Sequence, residues 1–397
     1  MFADAARPEA RFNAALAGML GAIAALLFSH GRLTPYDNYV LLADAMLHGR
    51  LWIDPQWPGP QIDAVLADGH RYIVNDPVPA LLILPLVALV GTRANETLLA
   101  CLLCGVATGA AWALLERLGV TSRVAIWLIV FLLAGTDLLW CSMLGDVWFV
   151  AQTSAVAFTL LALCELAGAR RGLLVAVFFA LALGSRFTLV MALPVIAWWV
   201  WDGFLARERR PRALNAFALT LVPFFMLWIA YNEARWHVPW DAGHTIFYHQ
   251  DPFMGSPAGS PFGIGNVPVE LWSFFVAWPL WHAQAPYLEP LTSGTALWFT
   301  SPALLLALVA RTPRLLVLAL WCATLLVALP SLLYYANGGA QFGMRHALDF
   351  EPFLLALMGL AARDGLAAGW RVLIAWSAAA GVWGCWYWNT FLRPGNL

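Results

Sequence analysis

Charge is scarce in this sequence. Asp, Glu, Lys and Arg make up only 11% of its 397 residues, where a soluble domain carries about 25%, which excludes an ordinary water-soluble globule. The formal net charge is −1, so no basic surplus exists to hold a nucleic acid. Cysteine is missing from the polar loops: all six lie in or at the edge of apolar segments, and no disulfide framework follows. Cys101 and Cys104 form one CxxC inside an apolar segment and, with no second pair, do not make a zinc site. The first apolar run, 14–28, has Arg7 and Arg11 before it and no small-residue cleavage site after it. It reads as a retained transmembrane helix and not as a signal peptide. No internal repeat, low-complexity tract or linker divides the chain, so 1–397 reads as one domain.

What fills the sequence is apolar: 61% of residues are hydrophobic and the mean hydropathy is +0.72. The expected fold class is an all-α, polytopic membrane helical bundle with about 11–13 transmembrane or re-entrant segments, some shorter than the roughly 20 residues that cross a bilayer. Arginines gather at 117–123, 170–171, 207–212, 311–314 and 363–371. Placing these turns in the cytoplasm leaves the loops 32–76, 232–293 and 335–349 on the outer face, with short turns near Asp146 and Arg186. One parity question stays open. Between Asp76 and Arg117 the scheme needs an odd number of crossings, yet two apolar segments are present, so either 77–92 does not cross or the Arg117 turn is outside.

The first outer loop carries the longest polar interruption in the first half of the chain. Tyr36, Tyr39, Val40, Ala43, Leu47 and Leu51 recur at helical spacing and predict an amphipathic, interfacial helix. On it Asp37, Asp44 and His48 fall within about 20° of one line at 100° per residue. That is either a reactive face or a solvated one. All eight histidines lie in or beside the three outer loops, the compositional trace of a polar site.

Five stretches, taken in order, resemble the multi-spanning GT-C type glycosyltransferases, in particular bacterial relatives of the protein mannosyltransferases and of the lipid A aminoarabinose transferases. They are YVLLADAMLHGRLWI (39–53) with Asp63 to Tyr72, NDPVPALLILPLVALVG (75–91), GTDLLWCSMLGDVWFVAQ (135–152) with ALGSRFTLVMALP (182–194), YNEARWHVPWDAG (231–243), and GTALWFTSPALLLAL (294–308) with QFGMRHALDFEPFLL (341–355). The resemblance implies a bacterial inner-membrane enzyme that works at the periplasmic face. It would take a sugar from a polyprenyl-phosphate donor and pass it, with inversion, to a glycan, lipid or protein acceptor. The general base matches Asp37, with helix capping as the alternative use of that carboxylate. Asn38 stands where many relatives carry a second acid, which leaves Asp44 as the candidate second carboxylate. His346 and His237 also depart from the pattern.

A lipid phosphate leaving group needs cations at the membrane surface, and arginine offers bidentate geometry to it. Arg345 is the first candidate, followed by Arg186, Arg71 and Arg235. A salt bridge from Arg345 to Asp349 and a snorkelling Arg186 are the structural alternatives. His48, His244, His249, Tyr248 and His346 are candidate substrate contacts. No cofactor is required; Asp37, Asp44, His48, His244 and His249 could instead assemble a divalent metal site, though no fixed-spacing motif marks one. Two other functions stay open: a transporter or flippase of lipid-linked sugars, with polar groups along a midplane path, and a non-catalytic scaffold of the same architecture.

Overall fold

The computed structural model describes residues 8–53, 63–202, 209–251 and 254–392. In chain order it forms α1 (Pro8–Ser29), α2 (Asn38–Leu47), β1 (Ala64–Ala67), β2 (His70–Ile73), α3 (Val78–Val90), α4 (Glu96–Arg117), α5 (Ser122–Ala134), α6 (Leu138–Leu144), α7 (Val147–Ala167) and α8 (Gly172–Leu183). There follow α9 (Leu193–Asp202), α10 (Arg210–Trp236), α11 (His244–Gln250), α12 (Val267–Phe275), β3 (Leu280–Trp281), β4 (Leu288–Glu289), β5 (Ser293–Thr295), α13 (Leu297–Thr300), α14 (Arg314–Leu333), β6 (Gln341–Gly343), α15 (Glu351–Ala361) and α16 (Ala368–Tyr387). The fold is thus mainly helical but not all-α, because three two-stranded pairs lie in the loops. Among the described residues five helices are long and apolar enough to cross a membrane: Arg11–Ser29, Glu96–Arg117, Val147–Ala167, Arg210–Trp236 and Arg314–Leu333. The pair Ser122–Ala134 and Leu138–Leu144, bent by 47°, gives a sixth if it is one span. Other apolar helices are shorter, and the stretch 172–201 breaks at Gly184 to Arg186, where the sequence reading put a turn.

A single apolar core runs through the bundle, with α7 buried along nearly all of its length and α10 turned outward. α1 and α4 pack backbone to backbone. A Cβ on Gly105 would stand 2.7 Å from the Gly18 carbonyl oxygen, and one on Gly18 would stand 2.9 Å from that of Gly105. Small residues permit this approach where no hydrophobic drive separates helix from lipid. The Thr108 hydroxyl, donating to the Ala17 carbonyl at 3.1 Å, ties the same seam.

Cross-chain hydrogen bonds define the two ends of the bundle. Asn95 donates to the Gly31 carbonyl at 3.2 Å, Thr97 to Leu144 at 3.1 Å, and Asn389 to Phe28 at 2.9 Å. The starts of α4 and α7 therefore meet the ends of α1, α6 and α16. At the opposite end Arg117 donates to the Cys164 carbonyl, and Arg171 pairs with Glu165 at 2.8 Å. The Val78 amide donates to the Gly184 carbonyl at 2.8 Å, while Asn95 sits beside Gly31, so α3 begins and ends on the loop side. It does not traverse the bundle, which resolves the parity question and leaves the Arg117 turn with the other basic turns.

The first loop departs from its expected form. α2 is not amphipathic: Tyr39, Val40, Leu42 and Ala43 are wholly buried and Leu41 nearly so, because α3 and neighbouring turns cover most of its circumference. The rest of the described loop is an antiparallel hairpin, not a second helix. Asp68 and Gly69, at φ +49° and +78°, make its turn, and an Asp-Gly pair favours such a primed turn because both residues tolerate positive φ. The hairpin packs Val65 and Tyr72 on Trp236 at the end of α10.

Candidate functional site

On the loop side the turns enclose a cavity of about 640 Å³. Its wall comes from seven separate parts of the chain, from Leu33 after α1 to Leu392 after α16. Four carboxylates line it: Asp63 and Asp76 at the two ends of the hairpin, Asp146 between α6 and α7, and Asp251 after α11. The opposing cations are Arg186, at the break after α8, and Arg345, after β6. His244, His346, Tyr36, Trp148, Tyr334 and Tyr335 supply rings.

Local structure holds each acid. Gly145 closes α6 in the left-handed region at φ +66°, and a Cβ there would stand 2.4 Å from the Thr97 Cα, so only glycine lets the chain turn into Asp146. The Asp146 carboxylate then accepts the Thr34 hydroxyl, and the Val147 amide donates to the Tyr36 carbonyl at 3.0 Å. Asp63 accepts the Trp148 indole N–H. Asp76 accepts the Phe187 amide at 3.0 Å, and Asp251 accepts the Tyr335 hydroxyl at 2.5 Å. Burial pushes Asp63 and Asp76 up to about 6, against the pull of the Trp148 hydrogen bond and Arg345 on the first and of the Phe187 amide and Arg186 on the second.

The two arginines differ. Arg186 is neutralised: its Nη2 lies 2.8 Å and its Nε 3.2 Å from the carboxylate of Asp349, which is fully buried and also accepts the Thr188 hydroxyl at 2.9 Å. Asp349 therefore pairs with Arg186 and not with Arg345. Arg345 is 6% exposed and donates from Nη2 to the Gly338 carbonyl at 2.6 Å. Its own carbonyl accepts from Gln152 at 3.0 Å, and its guanidinium lies 5.3 Å from the Phe149 ring centre. Its Nε has no partner, and among the described residues it makes no ion pair. Burial lowers its pKa to about 10, so it remains a cation at neutral pH. Burial and the neighbouring arginine charge hold His244 at about 4 and His346 well below the usual imidazole range, which leaves two neutral rings. The Nδ1 of His346 is also without a partner.

Of the residues singled out from sequence, Arg345, Arg186, His244 and His346 converge on this cavity. The others do not line it. Asp37 is half-buried at the start of α2 and makes no capping bond; the Glu96 carboxylate instead takes the Tyr39 and Val40 amides at 3.2 and 3.3 Å. The side chain of Asp37 thus makes no capping bond, and Asp37 stands beside the cavity, between the lining residues Tyr36 and Tyr39, without lining it. Asp44 and His48 pair with each other at 3.6 Å on the exposed end of α2. Arg71 is exposed on the hairpin. Arg235 is sealed beneath that hairpin, donating to Ile73 O and Asn232 Oδ1 at 2.8 Å each and lying 3.7 Å from the ring centres of Tyr231 and Trp236. His249 faces out with its Nε2 2.8 Å from Gly259 O, and Tyr248 backs Tyr335 with ring centres 4.7 Å apart.

The side chains weighed as metal ligands are therefore spread over separate surfaces, and among the described residues no group of three or more suits a metal ion. Sequence reasoning gave no role to Asp63, Asp76, Asp146, Asp251 or the two cavity tyrosines. The Asp-Gly turn between two alternating runs was the available signal for the hairpin that presents the first two. No protein-family model, curated protein or solved structure matches the chain.

Proposed function

We propose that the protein is a membrane glycosyltransferase, passing a sugar from a polyprenyl-phosphate donor to an acceptor hydroxyl inside this cavity. What carries the reading is Arg345: a buried guanidinium with no ion-pair partner among the described residues, facing four carboxylates at the end of the bundle away from the basic turns. In this reading Arg345 holds the carrier phosphate and stabilises the charge that grows on it as the bond to the sugar breaks. Asp63 takes the role first expected of Asp37. With a pKa of about 6 it is ionised near neutrality yet basic enough to accept a proton. The acceptor oxygen bonds to the anomeric carbon, its proton passes to Asp63, and polyprenyl phosphate leaves with the electron pair of the broken C–O bond. Asp146 and Asp76 favour the positive charge that develops on the sugar ring.

The test is transfer of label from a panel of radiolabelled polyprenyl-phosphate sugars by the purified protein, with a membrane extract as acceptor source. Arg345→Gln and Asp63→Asn are expected to lower kcat/KM by about a hundredfold or more, and Asp37→Asn to keep most of it. Full turnover by Asp63→Asn would remove that residue as the base. Failure of every donor would remove the transferase reading.

A further inference from the structure

We infer that the cavity accepts only sugars that carry no negative charge of their own, so that uronic acid and phosphorylated sugar donors are excluded. The inference rests on the transferase reading and names the substrate class of the same site. It stands on the distribution of charge in the wall. Four carboxylates face two guanidiniums, and the buried Asp349 already occupies one of those. The remaining cation, Arg345, has the carrier phosphate to hold. An anionic group on the sugar would have to sit against Asp63, Asp146 or Asp251 with no further arginine or lysine among the described lining residues, in a partly desolvated space where like charges repel strongly.

Histidine does not supply the missing charge. His244 and His346, the other basic side chains of the wall, are kept neutral by burial and by the arginines beside them. A neutral imidazole offers one donor and one acceptor, which suits a sugar hydroxyl. The Nδ1 of His346 and the Nε of Arg345 are buried without a partner, so neither ring nor guanidinium has all of its polar atoms satisfied by the protein. Tyr334 and Tyr335, in contact with each other at 4.8 Å between ring centres, add an uncharged aromatic face. Arg235 acts on Asp76 from behind the wall, but its two Nη donors are taken by Ile73 and Asn232.

The experiment measures binding, so it needs no acceptor. The full-length protein in nanodiscs is titrated with undecaprenyl phosphate, undecaprenyl-phosphate glucose and undecaprenyl-phosphate glucuronic acid. The glucose conjugate is expected to bind at least as tightly as the bare carrier, and the glucuronic acid conjugate at least tenfold more weakly. Asp251→Asn and Asp146→Asn, which remove one charge each, are expected to narrow that gap threefold or more, read as the ratio of the two conjugates' affinities in each variant. Equal binding of the two conjugates overturns the inference and leaves the carrier-phosphate reading intact. A gap that neither variant narrows also overturns it. If no ligand binds, bare carrier included, the transferase reading falls and the inference falls with it.

Discussion

Asp349→Asn tests the division of labour between the two arginines without any substrate. The introduced amide would keep an oxygen for the Thr188 hydroxyl but would leave the Arg186 guanidinium without its countercharge. The Asp349 side chain is fully buried and that of Arg186 is 20% exposed. Breaking a buried pair from one side costs about 3–5 kcal/mol. Partial exposure of Arg186, and the attraction of Asp76 on it, place this case at about 3 kcal/mol, the low end of that range. Replacing both partners by apolar side chains, Arg186→Met with Asp349→Leu, removes the stranded charge and is expected to return stability close to that of the parent. The assay is equilibrium or thermal unfolding in one detergent for the parent, Asp349→Asn, Arg186→Met, Asp349→Leu and the double variant, with the last three and the parent read as a double-mutant cycle. A single variant as stable as the parent, or a double variant no better than Asp349→Asn, would refute the claim that this pair is buried and self-contained. Arg186 would then be free to share the role assigned to Arg345.

Acid favours the fold through Asp63 and Asp76 and opposes it through His244 and His346. The pKa values of Asp63 and Asp76 are raised from 3.8 to about 6, so the native state takes up these protons before the unfolded chain does. Their contribution is greatest below about pH 4 and is lost as pH rises through about 6. Because His244 and His346 act in the opposite direction, the effect is read as a difference: Asp63→Asn with Asp76→Asn is expected to lower the unfolding midpoint, relative to the parent, more at pH 5 than at pH 7.5. Gly145→Ala combines positive φ with a Cβ 2.4 Å from Thr97, whereas Gly31→Ala has φ +64° and nothing within 4 Å. The second should cost only backbone strain, of order 1–3 kcal/mol, and the first distinctly more; equal losses in thermal unfolding would refute the packing argument.

Part of the site was legible where a polar residue broke an apolar pattern. Arg186 interrupts a long apolar run, so its cost in a nonpolar setting marked it, whereas Arg345 and His346 were picked out through the family resemblance and the need for a cation at a lipid phosphate. The carboxylates carried no such mark. Asp63, Asp76, Asp146 and Asp251 sit in loops where aspartate is ordinary, and only the convergence of those loops makes them neighbours. Helical spacing put Asp37, Asp44 and His48 on one face, but such spacing describes an isolated helix. α2 is covered on several sides, and its first amides are capped by Glu96, 57 and 56 positions away from Tyr39 and Val40. Whether 77–92 crosses the bundle was a question of where its two ends go, and the contact of Val78 with Gly184 that answers it leaves no trace in either local sequence.

The cavity is a late product of the chain. Leu33 and Thr34 are laid down early, Gln152 waits 193 positions for the Arg345 carbonyl it binds, and Trp388 and Leu392 complete the wall only at its last helix. During synthesis the acidic groups therefore spend most of their time in an unfinished vestibule, unable to hold a ligand. A chain stopped before α16 would keep most of its helices yet leave the side of the chamber made by Trp388 and Leu392 open.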